Sequence, residues 1–332
     1  MDTTVDGPLD TEPDEPPDTA PDGPLDAPAE RRVVELFAAV GAEVRLHAVA
    51  LDDERREFGV GADEQVVLAS VFKILLVLEF ARQADAGQLD PRERVVVTAA
   101  DQLGGWGTAG CADEVEMSLR DLAYFTMTVS DNAAADALLR RVGLGPVQML
   151  AAELGLDRTR ITGGPRQQLQ TMLEDAGAAD AAEFAARFPA LDAERLHRFR
   201  ALDPRCATSG TARDLTTLLR LIWQNRAGSP AACARVRELM CQQVFRQRLA
   251  TGFPDEVLIA AKTGTLPGLH NEAGVVHWPD GGRYAVAVFA RTAGPAWRRT
   301  AVDRAIGRAA RLAVDVLRTR RDPLRDHRAE LR

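Results

Sequence analysis

Leu68-Ala69-Ser70-Val71-Phe72-Lys73-Ile74-Leu75-Leu76 sets a serine and a lysine three residues apart inside a run that is otherwise apolar. The spacing predicts a helix from about Ser70 to Ala86, ended by Gly87. On a helix, residues three apart share a face, so Lys73 stands one turn along from Ser70. A serine hydroxyl is a poor nucleophile unless something removes its proton. Burying that lysine among leucines is expensive unless it has partners or a depressed pKa. A Ser70 at the helix start would also leave its backbone N–H free to face an oxyanion. In isolation, the pair reads more readily as an N-cap serine and a solvated lysine, because the spacing is common by chance.

Two later segments complement it. Ser130-Asp131-Asn132 lies between two helical patterns. A serine there can relay a proton to a leaving nitrogen, and the asparagine can hold Lys73 and a substrate carbonyl. Alone, the tripeptide is an ordinary capped turn. Lys262-Thr263-Gly264-Thr265 follows the apolar run Val257 to Ala261, so it is expected late in a strand. Its cation attracts a carboxylate, its glycine lets a ligand approach the backbone, and the Thr265 N–H is a second oxyanion donor. Together the three segments supply what an acyl-enzyme needs: Ser70, Lys73 and Ser130 for catalysis, and Asn132, Lys262, Thr263, Gly264 and Thr265 for substrate.

Outward from these motifs the pattern is helix, two strands, a helical block, three strands and a closing helix. Val33, Val34, Phe37 and Val40 have helical spacing ended by Gly41, and strands follow at Val44–Ala50 and Glu57–Val60. Ser118 with Asp121 caps a helix to Thr128, and another runs from Asn132 to Gly143. Segments 146–154, 165–175, 179–187, 212–225 and 231–249 read as helices. Strands at Val257–Ala261, Glu272–His277 and Arg283–Ala290 follow, the last two joined by the hairpin turn Pro279-Asp280-Gly281-Gly282. A long amphipathic helix from about Trp297 to Arg318 closes the chain. The fold class is α/β in the α+β sense. Early and late strands share one antiparallel sheet, the terminal helices cover one face, and the helical block forms a second lobe.

The 332 residues suffice for one large domain or two lobes. The net charge of -8 is concentrated at the start, where residues 1–30 carry ten acidic and no basic side chains; without those ten the chain stands at +2. This Pro- and Asp-rich tail, with Asp6-Gly7-Pro8-Leu9-Asp10 repeated as Asp22-Gly23-Pro24-Leu25-Asp26, is expected to be disordered. The expected division is the tail (1–30), an α/β lobe (31–68 and 251–319), a helical lobe (69–250) and a frayed Arg-rich end (320–332). A near-neutral body offers no nucleic-acid footprint, and no apolar run is long enough to span a membrane. The N-terminus shows no basic start followed by an apolar run, so a cytoplasmic location is expected. Cys111, Cys206, Cys233 and Cys241 lack metal-site spacing and read as free, mostly buried thiols. No cofactor or metal is expected, and the partner is a small-molecule substrate. Trp106, in Gly104-Gly105-Trp106-Gly107, reads either as an apolar wall of the cleft or as a surface or structural tryptophan.

From about Arg31 to Leu317 the chain resembles the class A β-lactamases and penicillin-binding proteins, which carry the same three motifs in the same order. Leu68-Ala69-Ser70 and Asn271-Glu272-Ala273-Gly274-Val275-Val276 add to the likeness. The resemblance implies a two-lobed serine β-lactamase fold without a metal. It implies that Ser70 is acylated with Lys73 as its base, that Ser130 shuttles the proton, that Asn132, Lys262 and Thr263 bind substrate, and that the N–H groups of Ser70 and Thr265 form the oxyanion hole. One part is missing. The family's Glu-x-x-Leu-Asn motif, whose glutamate activates the deacylating water, is replaced by Gly163-Gly164-Pro165-Arg166-Gln167-Gln168-Leu169-Gln170, and an Ala-rich helical insertion follows at about 176–203. A glutamine orients water but cannot act as its base; Glu174 is a weak substitute. The leading expectation is a class A β-lactamase-like serine hydrolase, its partner a small-molecule substrate such as a β-lactam, amide or ester opened through an acyl-Ser70 intermediate. The alternatives are an amide-forming transacylase and a β-lactam-binding protein without turnover.

Overall fold

The computed structural model describes residues 28–102, 104–294 and 299–319. Along them run α1 (Ala29–Ala38), β1 (Ala42–Ala50), β2 (Glu57–Val60), β3 (Val66–Val67), α2 (Lys73–Asp85), β4 (Arg94–Val97), β5 (Val115–Ser118), α3 (Leu119–Thr128), α4 (Asn132–Val142) and α5 (Leu144–Glu153). Then come α6 (Pro165–Ala176), α7 (Ala181–Arg187), α8 (Ala193–His197), β6 (Ser209–Gly210), α9 (Ala212–Trp223), α10 (Pro230–Cys241), β7 (Leu258–Leu266), β8 (Leu269–His277), β9 (Arg283–Thr292) and α11 (Thr300–Thr319).

The central sheet has the order β2-β1-β9-β8-β7 and is antiparallel throughout. As the pattern predicts, the early strand β1 pairs with the late strand β9, with Leu46 opposite Val288. On one face, Val33 and Phe37 of α1 and Ile306 and Val314 of α11 pack against Leu46, Val286 and Val288. Each such buried side chain stabilises by about 1.5–3 kcal/mol. The opposite face presents Ala260, Ala273, Ala285 and Ala287 to the helical part, and small residues there let α9 lie close. At the centre of that part, α2 buries Ile74, Leu75, Leu76, Val77 and Leu78 in succession. A helix apolar on every side must be surrounded, and α3, α4, α5 and α10 surround it.

The insertion after α6 builds a third, smaller core. Phe184, Leu191, Leu196, Phe199 and Leu202 pack with Met172 and Ala176, and against Val67, Ala69, Leu266 and Leu269. It therefore braces the segment just ahead of Ser70.

Several local expectations are corrected. Ala29 and Glu30, read as tail, belong to α1. The helix expected over 231–249 stops at Cys241; the chain then turns to bring Gln243 and Arg248 inward. A stretch read as helical with loops contains the antiparallel pair β4–β5, which the β-branched run Val95-Val96-Val97 favours. Ser70 does not open the α-helix: it sits on a 3-10 turn, Ala69–Phe72, and α2 begins at Lys73. Cys111 and Cys206 are free but exposed, and only Cys233 is fully buried. The expected disordered tail and frayed end fall, apart from residues 28–30, outside the described residues, as does the expected helix start at Trp297.

Candidate active site

Lys73 is wholly buried and spends its donors on one loop. Its Nζ donates to Ser130 O at 2.7 Å, Asn132 Oδ1 at 2.8 Å, Asp131 O at 3.3 Å and Ser130 Oγ at 3.4 Å. Burial lowers its pKa to about 7, against the opposing pull of the Asp131 and Asp136 carboxylates. A large fraction is therefore the neutral amine at neutral pH, one helical turn from Ser70.

The loop that receives Lys73 is itself rigid. Asp131 is buried; its Oδ1 caps α4 through the Ala134 N–H at 3.0 Å, and its Oδ2 accepts from Thr108 N at 2.5 Å and Thr108 Oγ1 at 2.7 Å. Backbone strain brackets the site. Ser130 has φ 60 and Ala69 has φ 49, left-handed conformations in non-glycine residues, which persist only where the surroundings over-determine them. Ala69 is held by its neighbours: Asn271 Nδ2 donates to Val67 O at 2.9 Å, and Leu68 N donates to Thr208 O at 3.0 Å.

Lys262, Thr263 and Gly264 lie late in β7, as expected, although the strand runs on to Leu266 rather than stopping at Ala261. The strand is the sheet's edge. Thr263 N donates outward to Gln243 Oε1 at 2.6 Å. N–H groups two residues apart on a strand point the same way, so the Thr265 N–H also leaves by the free edge, where the Ser70 turn packs. Gly264 explains that packing. A Cβ there would stand 2.7 Å from Leu68 O, 3.0 Å from Val71 Cγ2 and 3.2 Å from Ala69 Cβ. The sequence reading reserved this space for a ligand; the nucleophile's own turn fills it.

Lys262 is fully buried, and its Nζ donates to Thr263 O at 2.9 Å. Burial lowers its pKa, the like charge of Lys73 adds to the effect, and Glu272 opposes it. Ser70, Ser130, Asn132 and Thr265 remain half-buried. The fold thus brings all eight predicted residues into one region, with four accessible groups in front of two buried lysines.

Sequence reading missed the layer behind them. Glu272, opposite Thr263 on β8, accepts from Gln243 Nε2 at 2.8 Å and Leu249 N at 2.6 Å. Buried Arg248 donates to Thr265 Oγ1 at 2.8 Å, Gly264 O at 3.1 Å, Asn271 O at 2.8 Å and Asp303 Oδ1 at 2.7 Å. His270 Nδ1 lies 3.1 Å from the same Asp303 oxygen. Burial alone would raise the Asp303 pKa; the bonds to His270 and Arg248 outweigh it and hold it below the usual value. A glutamate inside an apolar strand was the one local signal of this layer.

A model of the β-lactamase enzyme family matches residues 28–317. The chain belongs to that family. It is 31% identical over 277 residues to the β-lactamase regulatory protein BlaB of Streptomyces cacaoi, covering 79% of this chain and 89% of BlaB. It is 25% identical over 247 residues to the extended-spectrum β-lactamase PER-1 of Pseudomonas aeruginosa, covering 69% of this chain and 68% of PER-1. Among solved structures, a PBP-A mutant in acyl-enzyme complex with penicillin G superposes with a TM-score of 0.69 at 20% identity, covering 88% of this chain and 96% of that one. A β-lactamase from Sphaerobacter thermophilus gives 0.70 at 24%, covering 88% and 97%. These likenesses show the class A β-lactamase and penicillin-binding-protein fold.

Residues 163–170 carry no acidic side chain. Arg166 turns its guanidinium away, donating to Ala100 O at 2.5 Å and Asp101 Oδ1 at 3.2 Å. Gln167 and Gln168 instead line a cavity of about 50 Å³ with Ala69, Phe72, Gly163 and Thr208. Glu174 is engaged at the surface by Arg200 at 2.8 Å and Gln170 at 3.1 Å.

Proposed function

We propose that this protein is a serine acyl-transfer enzyme that opens a β-lactam, or a related amide or ester, through an acyl-Ser70 intermediate and releases the acyl group slowly to water. The observation that carries the reading is Lys73: buried, held by Ser130 and Asn132, and brought by burial to a pKa of about 7, three residues on from Ser70.

In this reading Ser70 Oγ attacks the carbonyl carbon while its proton passes to neutral Lys73. The oxyanion is met by the N–H groups of Ser70 and Thr265. The tetrahedral intermediate collapses, the C–N bond breaks, and Ser130 delivers a proton to the nitrogen, drawing on Lys73. Asn132 orients the substrate, and Lys262 with Thr263 attracts its carboxylate. Release then needs an activated water, and residues 163–170 contain no carboxylate.

A second reading, a β-lactam receptor whose acylated form is the signal, is favoured by the regulatory name of the 31% identical BlaB. Incubation with benzylpenicillin and with a chromogenic cephalosporin, followed by intact mass and turnover, tests both. Steady turnover with a short-lived adduct supports the hydrolase. A persistent one-to-one adduct supports the receptor. An adduct discharged faster by amines than by water points to a transacylase. Unchanged labelling of Ser70→Ala would falsify all three.

A further inference from the structure

Thr263 has both of its backbone groups taken by side chains. Its N–H donates to Gln243 Oε1 at 2.6 Å, and its C=O accepts from Lys262 Nζ at 2.9 Å. Residues of an antiparallel edge strand face the partner strand and the open edge alternately. On β7 the outward rungs are therefore Ile259, Ala261, Thr263 and Thr265. At the far end Arg246 Nη1 donates to Ile259 O at 3.1 Å. Beyond Thr265 the next alternate position is Pro267, which has no N–H. Among the described residues, Arg248 bonds the Thr265 hydroxyl, and no side chain bonds its N–H or C=O. Thr265, beside the Ser70 turn, is thus the complete rung left open at this end of the edge.

The cap on Thr263 is built rather than incidental. Gln243 is buried, and three partners fix its amide. Its Oε1 meets a backbone N–H, which donates, and its Nε2 meets Glu272 Oε1 at 2.8 Å and Phe245 O at 3.1 Å, which accept. Turning the amide over would break all three bonds. Glu272 is held in turn by the Leu249 N–H at 2.6 Å, and Val244 N donates to Thr128 O at 3.0 Å. Open sheet edges invite a further strand, and covering them prevents it. Gln243 makes at Thr263 the bond that an added strand would make there.

We propose that Gln243, oriented by Glu272, is a positioning residue that limits the open edge of β7 to the Thr265 rung. The cleft then takes compact acyl donors, with one carbonyl–amide unit to pair, in preference to extended peptides that pair at two rungs. The identity of the ligand as an acyl donor rests on the acyl-enzyme reading above; the cap itself is a binding feature.

The test uses full-length Ser70→Ala, titrated by NMR with N-benzoylglycinamide and with N-benzoyltriglycinamide, which has the same ends and two more peptide units. The two should bind within about threefold of each other. Adding Gln243→Met, similar in volume but without the amide, should tighten the extended ligand about two- to tenfold and leave the short one within about twofold. The exchanged pair, Gln243→Glu with Glu272→Gln, remakes the amide–carboxylate bond with an acceptor on the Thr263 N–H, and should restore the original ratio. A second measurement needs no change at position 243: the Thr263 amide should exchange with solvent at least about tenfold more slowly than that of Thr265. Equal exchange, an unchanged ratio in Gln243→Met, equal tightening of both ligands, no rescue by the exchanged pair, or no binding of either ligand would overturn the cap. Acylation of the wild type by benzylpenicillin is read separately by mass. Absence of an adduct with the ligand shift intact sinks the acyl-enzyme reading alone, and an adduct without the shift sinks the cap alone.

Discussion

The Asp136 carboxylate accepts a 2.8 Å hydrogen bond from the Arg166 backbone N–H, so the start of α6 hangs from α4. Gly164 makes room, since a Cβ there would come 2.1 Å from Asp136 Oδ1. Burial pushes the Asp136 pKa up to about 6, although the Arg166 N–H and the charges of Lys73, Arg166 and Arg140 pull it down.

A carboxyl whose pKa is raised on folding holds its proton more tightly in the folded state. Its ionisation penalty is therefore absent below about pH 4 and fully present above about pH 6. Asp136→Asn keeps an acceptor for Arg166 and removes the charge. It is expected to be more stable than the wild type at pH 8 by about 1–3 kcal/mol, with the gain fading at pH 4. Urea midpoints at both pH values decide it; a lower midpoint for the variant at pH 8 refutes the argument.

Lys73 sets the pH dependence of acylation. With its pKa lowered to about 7, the neutral amine grows in as pH rises through that value. The acylation rate, followed by intact mass, should climb about tenfold per unit below pH 7 and level off above it. A rate flat from pH 5 to 9 excludes Lys73 as the base.

Gly264→Ala should damage activity and stability together. The new Cβ meets the Leu68 carbonyl at 2.7 Å, and backbone cannot yield as a flexible side chain does. The expected cost is about 1–3 kcal/mol of stability, with acylation slowed more than about tenfold as Ser70 shifts from the oxyanion donors. Wild-type acylation in a folded variant contradicts this account.

Arg248→Met strips the buried Asp303 of its arginine and leaves, among the described residues, His270 beside it. Breaking a buried pair from one side costs about 3–5 kcal/mol. Adding Asp303→Asn should recover part of that loss, because the stranded charge is then gone. A double variant no more stable than Arg248→Met in thermal or chemical denaturation removes Asp303 as the reason.

Deacylation can be engineered to locate the water site. Gln167 and Gln168 line the cavity next to Ala69, whereas Arg166 points to Asp101. Gln167→Glu or Gln168→Glu should shorten the adduct lifetime, and Arg166→Glu, set among Asp101 and Asp136, should not. Mass spectra taken at intervals after acylation measure the lifetimes, and the reverse ranking places the water elsewhere.

Much of the fold is legible in the chain. The periods of 3.6 and 2 locate α1, β1, β2, α4 and β9 to within a few residues, because each element's apolar face is a local pattern. The spacing of Ser70 and Lys73, and the buried setting of that lysine, are equally local. Less legible are elements whose state depends on neighbours. Val95-Val96-Val97 becomes β4 because β5 lies across from it. Residues 242–249 leave the helix as Gln243 bonds the backbone of β7 and Arg248 reaches Asp303.

The sequence by itself determined the order of the five strands of the central sheet and of the helices that flank it, the class of fold and the eight residues that resemble an acyl-transfer site, since these are written in spacing and periodicity. Only the tertiary structure decided what stands behind and around them: why position 264 must be glycine, which groups hold Lys73, and how Arg248, Asp303 and His270 join. Those depend on contacts between residues tens to hundreds of positions apart. Such contacts exist only after the sheet has closed, and no local pattern encodes the distance between two side chains that folding alone brings together.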